Sequence, residues 1–348
     1  MKRLTCIYHL LRHFPVTLFS FSWTIAVLLY STVIAHTTKS PFQILPSQLT
    51  SAFITIANMS AQVEATLHDF PSLFSLKGKI AVVTGGSRGL GLHAASAFMQ
   101  AGCSKVFISS RKAAACEEAC KALNALPNLS PGAVAIPAPA DSATMDGVRS
   151  LLSQVKQHTD AVDILFANAG ATWGEAFDTH PDQAFAKVMD LNVKAVFNTI
   201  REFAPLLQKR ASLEDPSRVL ITSSVAGLGV GTLGKQGTYG YSASKAAVLH
   251  LGRNLALELG PRGITVNSIC PGFFPSKMAN GLLAMSGGAD KIAKANPMRR
   301  LGRPEDIAGA VVYLTSRAGS HVNGEAIAID GGALWSRGEM MVEEQSKL

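Results

Sequence analysis

The chain has 348 residues, of which 47% are hydrophobic and 16% are charged, and its formal net charge is +8 at pH 7. This length suits one large domain with an extension, and because the basic residues are dispersed, with no run of Lys and Arg interleaved with aromatic residues, we expect no nucleic-acid partner. The five cysteines show no CxxC motif and no His/Cys ligand spacing, so we expect neither a metal site nor a disulfide framework.

The first 58 residues form an amino-terminal extension that contains no acidic residue, since the first one in the chain is Glu64. Within it, residues 14–35 carry no charge. At about 1.5 Å per residue, a helix of that length could cross a hydrocarbon core of roughly 30 Å. Three interpretations are open: a membrane anchor, a removed targeting peptide, or an upstream segment that the working protein lacks because translation starts at Met59.

The charged residues on either side of this apolar span are one indication of where the protein resides. Basic residues are more numerous before the span than after it, so an anchored chain would keep its amino end in the cytosol and place the rest across the membrane. Reduced cysteines such as Cys103 and Cys270 fit the cytoplasm instead. We therefore predict a cytoplasmic domain for a chain that starts at Met59, and membrane association if the full chain is made.

From residue 77 onward, short apolar runs alternate with longer helical stretches, which is typical of βαβ units and a parallel sheet. We predict strands at residues 79–84, 106–109, 133–137, 164–167, 218–222, 265–269 and 326–329, and helices at residues 89–100, 112–126, 181–208 and 242–259. The predicted fold class is α/β, with a doubly wound parallel sheet of the Rossmann type. Residues 77–335 form a single catalytic domain, preceded by a lead-in over 59–76 and followed by a tail over 336–348.

A glycine-rich turn, TGGSRGLG over residues 84–91, joins the first strand to the first helix. Glycines let the backbone approach a pyrophosphate, and the amino end of the helix supplies free N–H groups and a positive dipole. A second strand ends about twenty residues later, which is the context that a dinucleotide fingerprint requires. We expect cofactor contacts from most of this turn, namely Gly85, Ser87, Arg88, Gly89, Leu90 and Gly91.

The end of the second strand distinguishes NAD from NADP. An acidic residue there would bind the ribose 2′-hydroxyl of NAD, whereas an arginine accommodates the 2′-phosphate of NADP. This sequence has Ser110 and Arg111 at that point, and Arg88 is a second cation able to reach the same phosphate. NADP(H) is therefore the expected cofactor, and the alternative is that Arg111 only caps a strand in solvent.

Tyr241 and Lys245 form the strongest catalytic signal, at the start of an amphipathic helix. Their i, i+4 spacing places the phenol and the ammonium on one helix face, so the cation is expected to lower the pKa of Tyr241 from about 10 toward neutrality. Tyr241 would then act as a general acid or base. The nearby Tyr239 has Ala243 four residues later and lacks such a partner.

Two further polar positions extend this pair. Ser224 follows the strand predicted at 218–222, where a hydroxyl can donate to a substrate carbonyl, and Ser223 is the second choice. Asn192 lies on the helix predicted at 181–208, where its amide could hold a water chain behind Lys245. The alternative for Asn192 is a packing role.

Together these motifs resemble the short-chain dehydrogenase/reductase family over about residues 77–335. The resemblance is carried by the turn at 84–91, Asn168, Ala169, Gly170, Asn192, Ser224, Tyr241, Lys245, Pro271 and Gly272, in the order of the family. Within the family the sequence is similar to 3-oxoacyl-carrier-protein reductases, including the type named for rhamnolipid synthesis. The resemblance implies a tetrad of Asn192, Ser224, Tyr241 and Lys245, in which Tyr241 protonates a carbonyl oxygen while hydride arrives from nicotinamide and Lys245 binds the nicotinamide ribose.

The resemblance also implies cofactor contacts elsewhere in the chain. Asp141 would contact adenine, and Asn168 would steady the central strand and line the groove. The remaining positions that the resemblance assigns to the cofactor are Ala169, Gly170, Pro271, Gly272, Phe274 and Ser276. Two departures from the family stand out: residues 227–240 form a longer, glycine-rich connection, and Ser276 replaces the usual Thr. A homotetramer is implied as well.

These expectations favour NADPH-dependent reduction of a 3-oxoacyl thioester or a related ketone, either free or bound to a carrier protein. Apolar residues at 278, 282, 283 and 285 could line an acyl pocket or the core of a lid, and Arg210 and Arg262 fall roughly where the resembled reductases dock the carrier. Alternatives are the oxidation of a secondary alcohol such as a polyol, a steroid or a secondary metabolite, and a nucleotide-binding regulator without turnover. The intact Tyr241 and Lys245 pair argues against the regulator.

Overall fold

The computed structural model describes residues 67, 69–276 and 288–336. The elements described here belong to one compact unit that starts at Asp69. The apolar span at 14–35, the start at Met59 and the apolar positions between 278 and 285 lie outside the described residues. In the described ranges, no helix is long and apolar enough to cross a membrane.

Seven parallel strands form a single sheet in the order β3-β2-β1-β4-β5-β6-β7. The strands are β1 (Ile80–Thr84), β2 (Lys105–Ser109), β3 (Val134–Pro137), β4 (Ile164–Ala167), β5 (Ser217–Thr222), β6 (Ile264–Pro271) and β7 (Ala326–Ile329). The order reverses between β1 and β4, as in a doubly wound fold. The predicted fold class and each predicted strand are confirmed, and β6 is longer than expected at both ends.

Helices cover both faces of the sheet. They are α1 (Gly89–Gln100), α2 (Ala113–Asn124), α3 (Met145–Lys156), α4 (Asp182–Met189), α5 (Ala195–Gln208), α6 (Tyr239–Leu259), α7 (Ala289–Ala295) and α8 (Pro304–Thr315). The sequence analysis did not find α3, α7 or α8. Local signals mark two of these, since Thr144 caps α3 by accepting from the Gly147 N–H and a proline opens α8.

Successive residues of β1 show why both faces are buried. Ala81 and Val83 pack with α1 and α8, whereas Ile80 and Val82 pack in a second cluster with residues of α3, α5 and α6. Side chains alternate across a strand, so a strand whose first four residues are all apolar requires cover on both sides. The core therefore has two layers, and the carboxyl ends of the strands are left to form a site.

The helix predicted as continuous over residues 181–208 is interrupted. A π-helical turn, Asp190–Lys194, separates α4 from α5 and contains the buried Asn192. Such a turn inserts one residue into the helical register, and π-turns are frequent at functional sites. The interruption directs Asn192 inward, toward the amino end of α6.

The amino ends of the strands form an edge rich in ion pairs. Asp163, just before β4, accepts from the Ile80 N–H at 2.7 Å and pairs with Arg210, and Lys79 pairs with Asp215 at 2.6 Å. Arg262 lies in the turn before β6 and pairs with Glu258 of α6. Arg210 and Arg262, which the resemblance places roughly where a carrier protein docks, both lie at the edge opposite the carboxyl ends of β5 and β6, and carrier docking there stays a prediction.

Candidate active site

The glycine-rich turn after β1 has the shape of a phosphate cradle. Gly85 and Gly89 adopt φ values of +63° and +55°, which favour glycine, and a Cβ at Gly91 would lie 2.6 Å from Asn168 Nδ2. The Gly86 N–H donates to Ser109 O at 3.0 Å, which ties the turn to the end of β2. The Arg88 side chain makes no capping hydrogen bond at the start of α1, and the first N–H groups of a helix have no partner within the helix itself.

Asn168 connects three strand ends beneath the turn. Its Nδ2 donates to Thr84 O at 3.1 Å and Gly85 O at 3.2 Å, and its Oδ1 accepts from Thr222 Oγ1 at 3.0 Å. The Thr84 hydroxyl in turn accepts from the N–H groups of Asn168 and Ala169. This geometry suits the steadying role that the resemblance implied. The sequence analysis missed Thr84 and Thr222, whose signal was a hydroxyl at the last position of a buried strand.

Two exposed arginines border the groove between the ends of β1 and β2. Arg88 precedes α1, Arg111 follows β2, and neither side chain makes a hydrogen bond or ion pair within the part of the chain that the structure describes. Ser110 contacts Cys116, with Oγ and Sγ 3.2 Å apart. Asp141 follows β3 and accepts from the Ala143 N–H at 3.0 Å. Both cations are therefore exposed beside the glycine-rich turn and available to an anionic group.

Lys245 is buried beside Tyr241 on α6. Its Nζ lies 5.5 Å from the centroid of the Tyr241 ring and donates to Thr222 O at 2.7 Å. Burial lowers the pKa of Lys245 to about 8. Burial also raises the pKa of Tyr241, against the smaller lowering effect of a hydrogen bond with Ser224. For the protein alone the pKa of Tyr241 is therefore raised and not lowered as expected, because the loss of hydration outweighs the hydrogen bond with Ser224.

The two serines after β5 point in different directions. The Ser224 side chain bonds Tyr241 and accepts from the Ala226 N–H at 3.1 Å. Ser223 Oγ instead donates to Lys245 O at 2.8 Å and is buried against Cys270. This geometry favours Ser224 over Ser223 as the hydroxyl that meets a substrate.

Asn192 reaches the same centre from the π-turn. Its Nδ2 donates to Ala171 O and to Ser244 Oγ, both at 2.9 Å, and its Oδ1 accepts from the Ala171 N–H at 2.9 Å. The Ser244 hydroxyl then donates to Tyr241 O at 2.7 Å. The water chain that the amide was expected to hold stays a prediction, and protein groups occupy most of the hydrogen-bonding capacity of the amide. Asn192 contacts the first turn of α6 through Ser244, which the sequence analysis missed.

Gly170 leaves room beside these groups. A Cβ at this position would lie 3.1 Å from Asn192 Oδ1 and 3.5 Å from Lys245 Nζ. The absence of a side chain keeps the approach to the ammonium open.

The other side of the groove is formed by the segment after β6. The Gly272 N–H donates to Ile329 O at 3.0 Å, and a Cβ at Gly89 would lie 3.9 Å from Ser276 Cβ. Ser276 therefore lies over the phosphate turn. Phe274 is 5% exposed and belongs to the core, with its ring against Gly302. Its ring packs in the core, so the expected cofactor contact of Phe274 would come from its main chain.

Tyr239 lies apart from the catalytic pair. Its ring packs at right angles against Phe177, with centroids 5.9 Å apart, and against His180 at 6.2 Å. The structure thus separates the two tyrosines in the way that their spacing to Lys245 predicted. Cys270 is a further residue that the sequence analysis did not assign: it is buried behind Ser223 and Lys245, and burial raises the pKa of its thiol to about 11.

Known proteins match about three quarters of this chain. A family model described as enoyl-(acyl carrier protein) reductase matches residues 85–333. The chain is 41% identical over 259 residues to the rhamnolipids biosynthesis 3-oxoacyl-[acyl-carrier-protein] reductase of Pseudomonas aeruginosa, covering 74% of this chain and 97% of that protein. It is 36% identical over 261 residues to a 3alpha-hydroxysteroid dehydrogenase of Mediterraneibacter gnavus, covering 74% and 98%. The solved RhlG/NADP active-site complex from Pseudomonas aeruginosa has a TM-score of 0.70 and 40% identity, and the match covers 76% of this chain and 99% of that one.

Proposed function

The chain belongs to the short-chain dehydrogenase/reductase family of oxidoreductases, and we propose that it reduces a carbonyl group with NADPH, the substrate being a 3-oxoacyl thioester or a related ketone. The observation that carries this proposal is the meeting of Ser224, Tyr241 and Lys245 at the carboxyl edge of the sheet. The relative with 41% identity is named for 3-oxoacyl reduction, and this similarity supports the choice of substrate.

The described residues fit an NADP cofactor. The turn at 84–91 offers a cradle that a side chain at Gly91 would fill, and Arg88 and Arg111 are cations without a protein partner among the described residues. The residues proposed to hold the cofactor are Gly85, Ser87, Arg88, Gly89, Leu90, Gly91, Ser110, Arg111, Asp141, Asn168, Ala169, Gly170, Tyr241, Lys245, Pro271, Gly272, the main chain of Phe274, and Ser276. NADPH, when bound, supplies the hydride.

The protein groups supply the proton and the geometry. Ser224 donates to the substrate carbonyl oxygen and holds it beside the Tyr241 hydroxyl, which transfers its proton as negative charge develops on that oxygen. Lys245 stabilises the resulting phenolate while its own proton stays in place. Asn192 acts through Ser244 as a positioning residue for Tyr241.

The choice of cofactor supports reduction as the forward activity. Arg88 and Arg111 favour NADP(H) over NAD(H), and NADPH pools drive reduction. The site itself serves both directions, because the group that donates a proton in reduction accepts one in oxidation.

Oxidation of a secondary alcohol is the second candidate, and the similarity to the 3alpha-hydroxysteroid dehydrogenase favours it. The two functions share the same site and differ in cofactor state and direction. An assay of the full chain separates them: NADPH consumption with 3-oxoacyl coenzyme A thioesters and simple ketones is compared with NADP⁺ reduction by polyols and hydroxysteroids. We expect faster turnover in the first arm, and turnover confined to the second arm would contradict the proposal.

We also propose a homotetramer, on the strength of the family resemblance. The interfaces would use α6, which bears Tyr241, and β7 near the carboxyl terminus. Leu257 on α6 is 81% exposed and is an apolar side chain that such an interface would cover.

A further inference from the structure

A buried thiol lies beside Ser110, one of the residues proposed to hold the cofactor. Cys116 is the fourth residue of α2 and is 0% exposed. Its Sγ lies 3.2 Å from Ser110 Oγ and donates to Ser110 O at 3.6 Å. One side chain therefore contacts both the hydroxyl and the main-chain carbonyl of Ser110.

The surroundings of Cys116 differ from those of the other buried residues of α2. Ala119, Cys120 and Leu123 pack in the core cluster that also contains residues of α1. Cys116 is buried as well, but it belongs to neither of the two core clusters. Cys120 therefore fills space in the core, whereas the polar contacts of Cys116 are made with the residue that follows β2.

The main chain of Ser110 is also held from a second side. Its carbonyl oxygen accepts from the Ala140 N–H at 3.1 Å, next to Asp141. The hydroxyl can still rotate about χ1, and among the described residues its hydrogen-bond partner is Cys116. The thiol therefore determines which rotamer of Ser110 is favoured.

The direction of this hydrogen bond matters for a phosphate ligand. A serine hydroxyl has one proton, and an ionised phosphate accepts hydrogen bonds, so Ser110 binds a 2′-phosphate only when its proton points to that group. Either atom of the contact between Ser110 and Cys116 can be the donor. A thiol that donates to Ser110 Oγ leaves the hydroxyl proton for the phosphate. In the opposite arrangement the proton is released at little cost, because sulfur is a weak acceptor.

We propose that Cys116 is a positioning residue for the 2′-phosphate of NADP: it orients the Ser110 hydroxyl and so strengthens the preference for NADP(H) over NAD(H). Arg111 contributes charge to the same preference, whereas Cys116 acts only through the direction of one hydrogen bond. This inference rests on the proposed function, because it takes NADP(H) as the cofactor, and it adds a residue that selects between the two cofactors.

The test measures binding without substrate, so it needs no turnover. Fluorescence titration of the full chain gives the Kd for NADPH and for NADH, which differ only in the 2′-phosphate. We expect Cys116→Ala to lower the preference for NADPH by about two- to tenfold, as for the loss of one uncharged hydrogen bond, and to leave the Kd for NADH unchanged. Cys116→Ser keeps a donor and an acceptor and should recover part of the loss. Cys120→Ala is the matched control, since it removes the same thiol from the same helix, and it should keep the preference.

A double-mutant cycle separates positioning from packing. Ser110→Ala should lower the preference for NADPH by about tenfold or more, because it removes a hydrogen bond to a charged group. Cys116→Ala should add nothing to that loss, since a positioning residue has no effect once the group that it orients is gone. If Cys116→Ala lowers the preference equally with and without the Ser110 hydroxyl, or no more than Cys120→Ala does, Cys116 only fills space and the inference is wrong.

The outcomes for Cys116 and for the reductase activity are distinguishable. If Cys116→Ala leaves the preference for NADPH unchanged in a chain that reduces ketones, the inference is overturned and the proposed function stands. If the preference falls in Cys116→Ala and not in Cys120→Ala, but the original chain reduces no carbonyl compound, the inference stands and the proposed function is contradicted.

Discussion

The two edges of the sheet use charge in opposite ways. At the amino edge Lys79, Arg210 and Arg262 each pair with a carboxylate of the protein. At the carboxyl edge Arg88 and Arg111 are exposed, and neither has a protein partner among the described residues. Paired charges hold elements together, whereas cations kept free beside a glycine-rich turn are available to an anionic ligand. We therefore expect Arg88 and Arg111, and not Lys79, Arg210 or Arg262, to bind an anionic ligand.

The largest expected effect comes from removing a single oxygen at the carboxyl edge. Tyr241→Phe should lower kcat by about 100-fold to 10,000-fold, because general acid catalysis contributes on that order. NADPH affinity and thermal stability should stay close to those of the original protein. Steady-state kinetics and fluorescence titration with NADPH measure the two quantities.

Tyr239→Phe is the matched control for that substitution, since Tyr239 packs on Phe177 and His180, away from Lys245. It should keep most of the activity. An inactive Tyr239→Phe beside an active Tyr241→Phe would show that the wrong tyrosine was assigned.

The complementary change is at the amino edge, where Asp163→Ala should cost about 2–3 kcal/mol of unfolding free energy. Asp163 is 5% exposed, and its loss leaves the buried Ile80 N–H without an acceptor and Arg210 without its partner. Urea unfolding measures the loss, and Asp163→Asn should lose less because it keeps an acceptor for Ile80. If Asp163→Ala lowered kcat/KM without changing the free energy of unfolding, the amino edge would take part in catalysis. The contrast between a structural amino edge and a carboxyl edge that binds the ligand would then be wrong.

The preference for NADPH over NADH tests whether the unpaired cations Arg88 and Arg111 bind the cofactor. Arg111→Asp should raise the KM for NADPH by about 10-fold to 100-fold relative to NADH, because a charged hydrogen bond to the 2′-phosphate is replaced by repulsion. Arg262→Asp at the amino edge is the matched control and should leave the preference unchanged. If the ratio of the KM for NADPH to the KM for NADH is the same in Arg111→Asp and in the original protein, the assignment of NADP(H) as the cofactor is wrong.

The pH dependence of reduction should reflect Lys245. Its pKa is lowered to about 8, so the ammonium is present below that pH and lost above it. Reduction needs the cation beside Tyr241, and kcat/KM should therefore fall by about tenfold for each pH unit above the Lys245 pKa. Arginine stays positively charged at alkaline pH. The activity that Lys245→Arg retains should therefore show no such fall. A profile that is flat through this range would mean that the charge of Lys245 is not required.

The smallest effect is expected from removing residues 1–58. Both edges of the sheet lie within residues 69–336, so a chain that starts at Met59 should be soluble, fully active and, by light scattering, a tetramer. Aggregation of that shorter chain, with activity only in the full-length protein in detergent, would mean that the extension is integral. If the full chain is made in the cell, we expect it to fractionate with membranes and resist alkaline extraction.

The signals that the sequence analysis read correctly are local ones. The apolar run of β1, the glycine turn after it and the spacing of Tyr241 and Lys245 each lie within a few residues, so backbone geometry and side-chain periodicity suffice to interpret them. The i, i+4 spacing also separated Tyr241 from Tyr239. The boundaries of α1 and β4 were predicted to the residue for the same reason.

The tertiary structure decided what depends on groups far apart in the chain. Asn192 looked like part of an unbroken helix, and only its bonds to Ala171 and Ser244 show that it positions the first turn of α6. Phe274 was expected to contact the cofactor, and the structure shows that its ring lies in the core against Gly302, which leaves its main chain for that contact. The protonation of Tyr241 is the clearest case: the spacing to Lys245 predicted a lowered pKa, and the surrounding protein raises it by excluding water. Spacing records which groups can meet, whereas hydration depends on every element that packs around them.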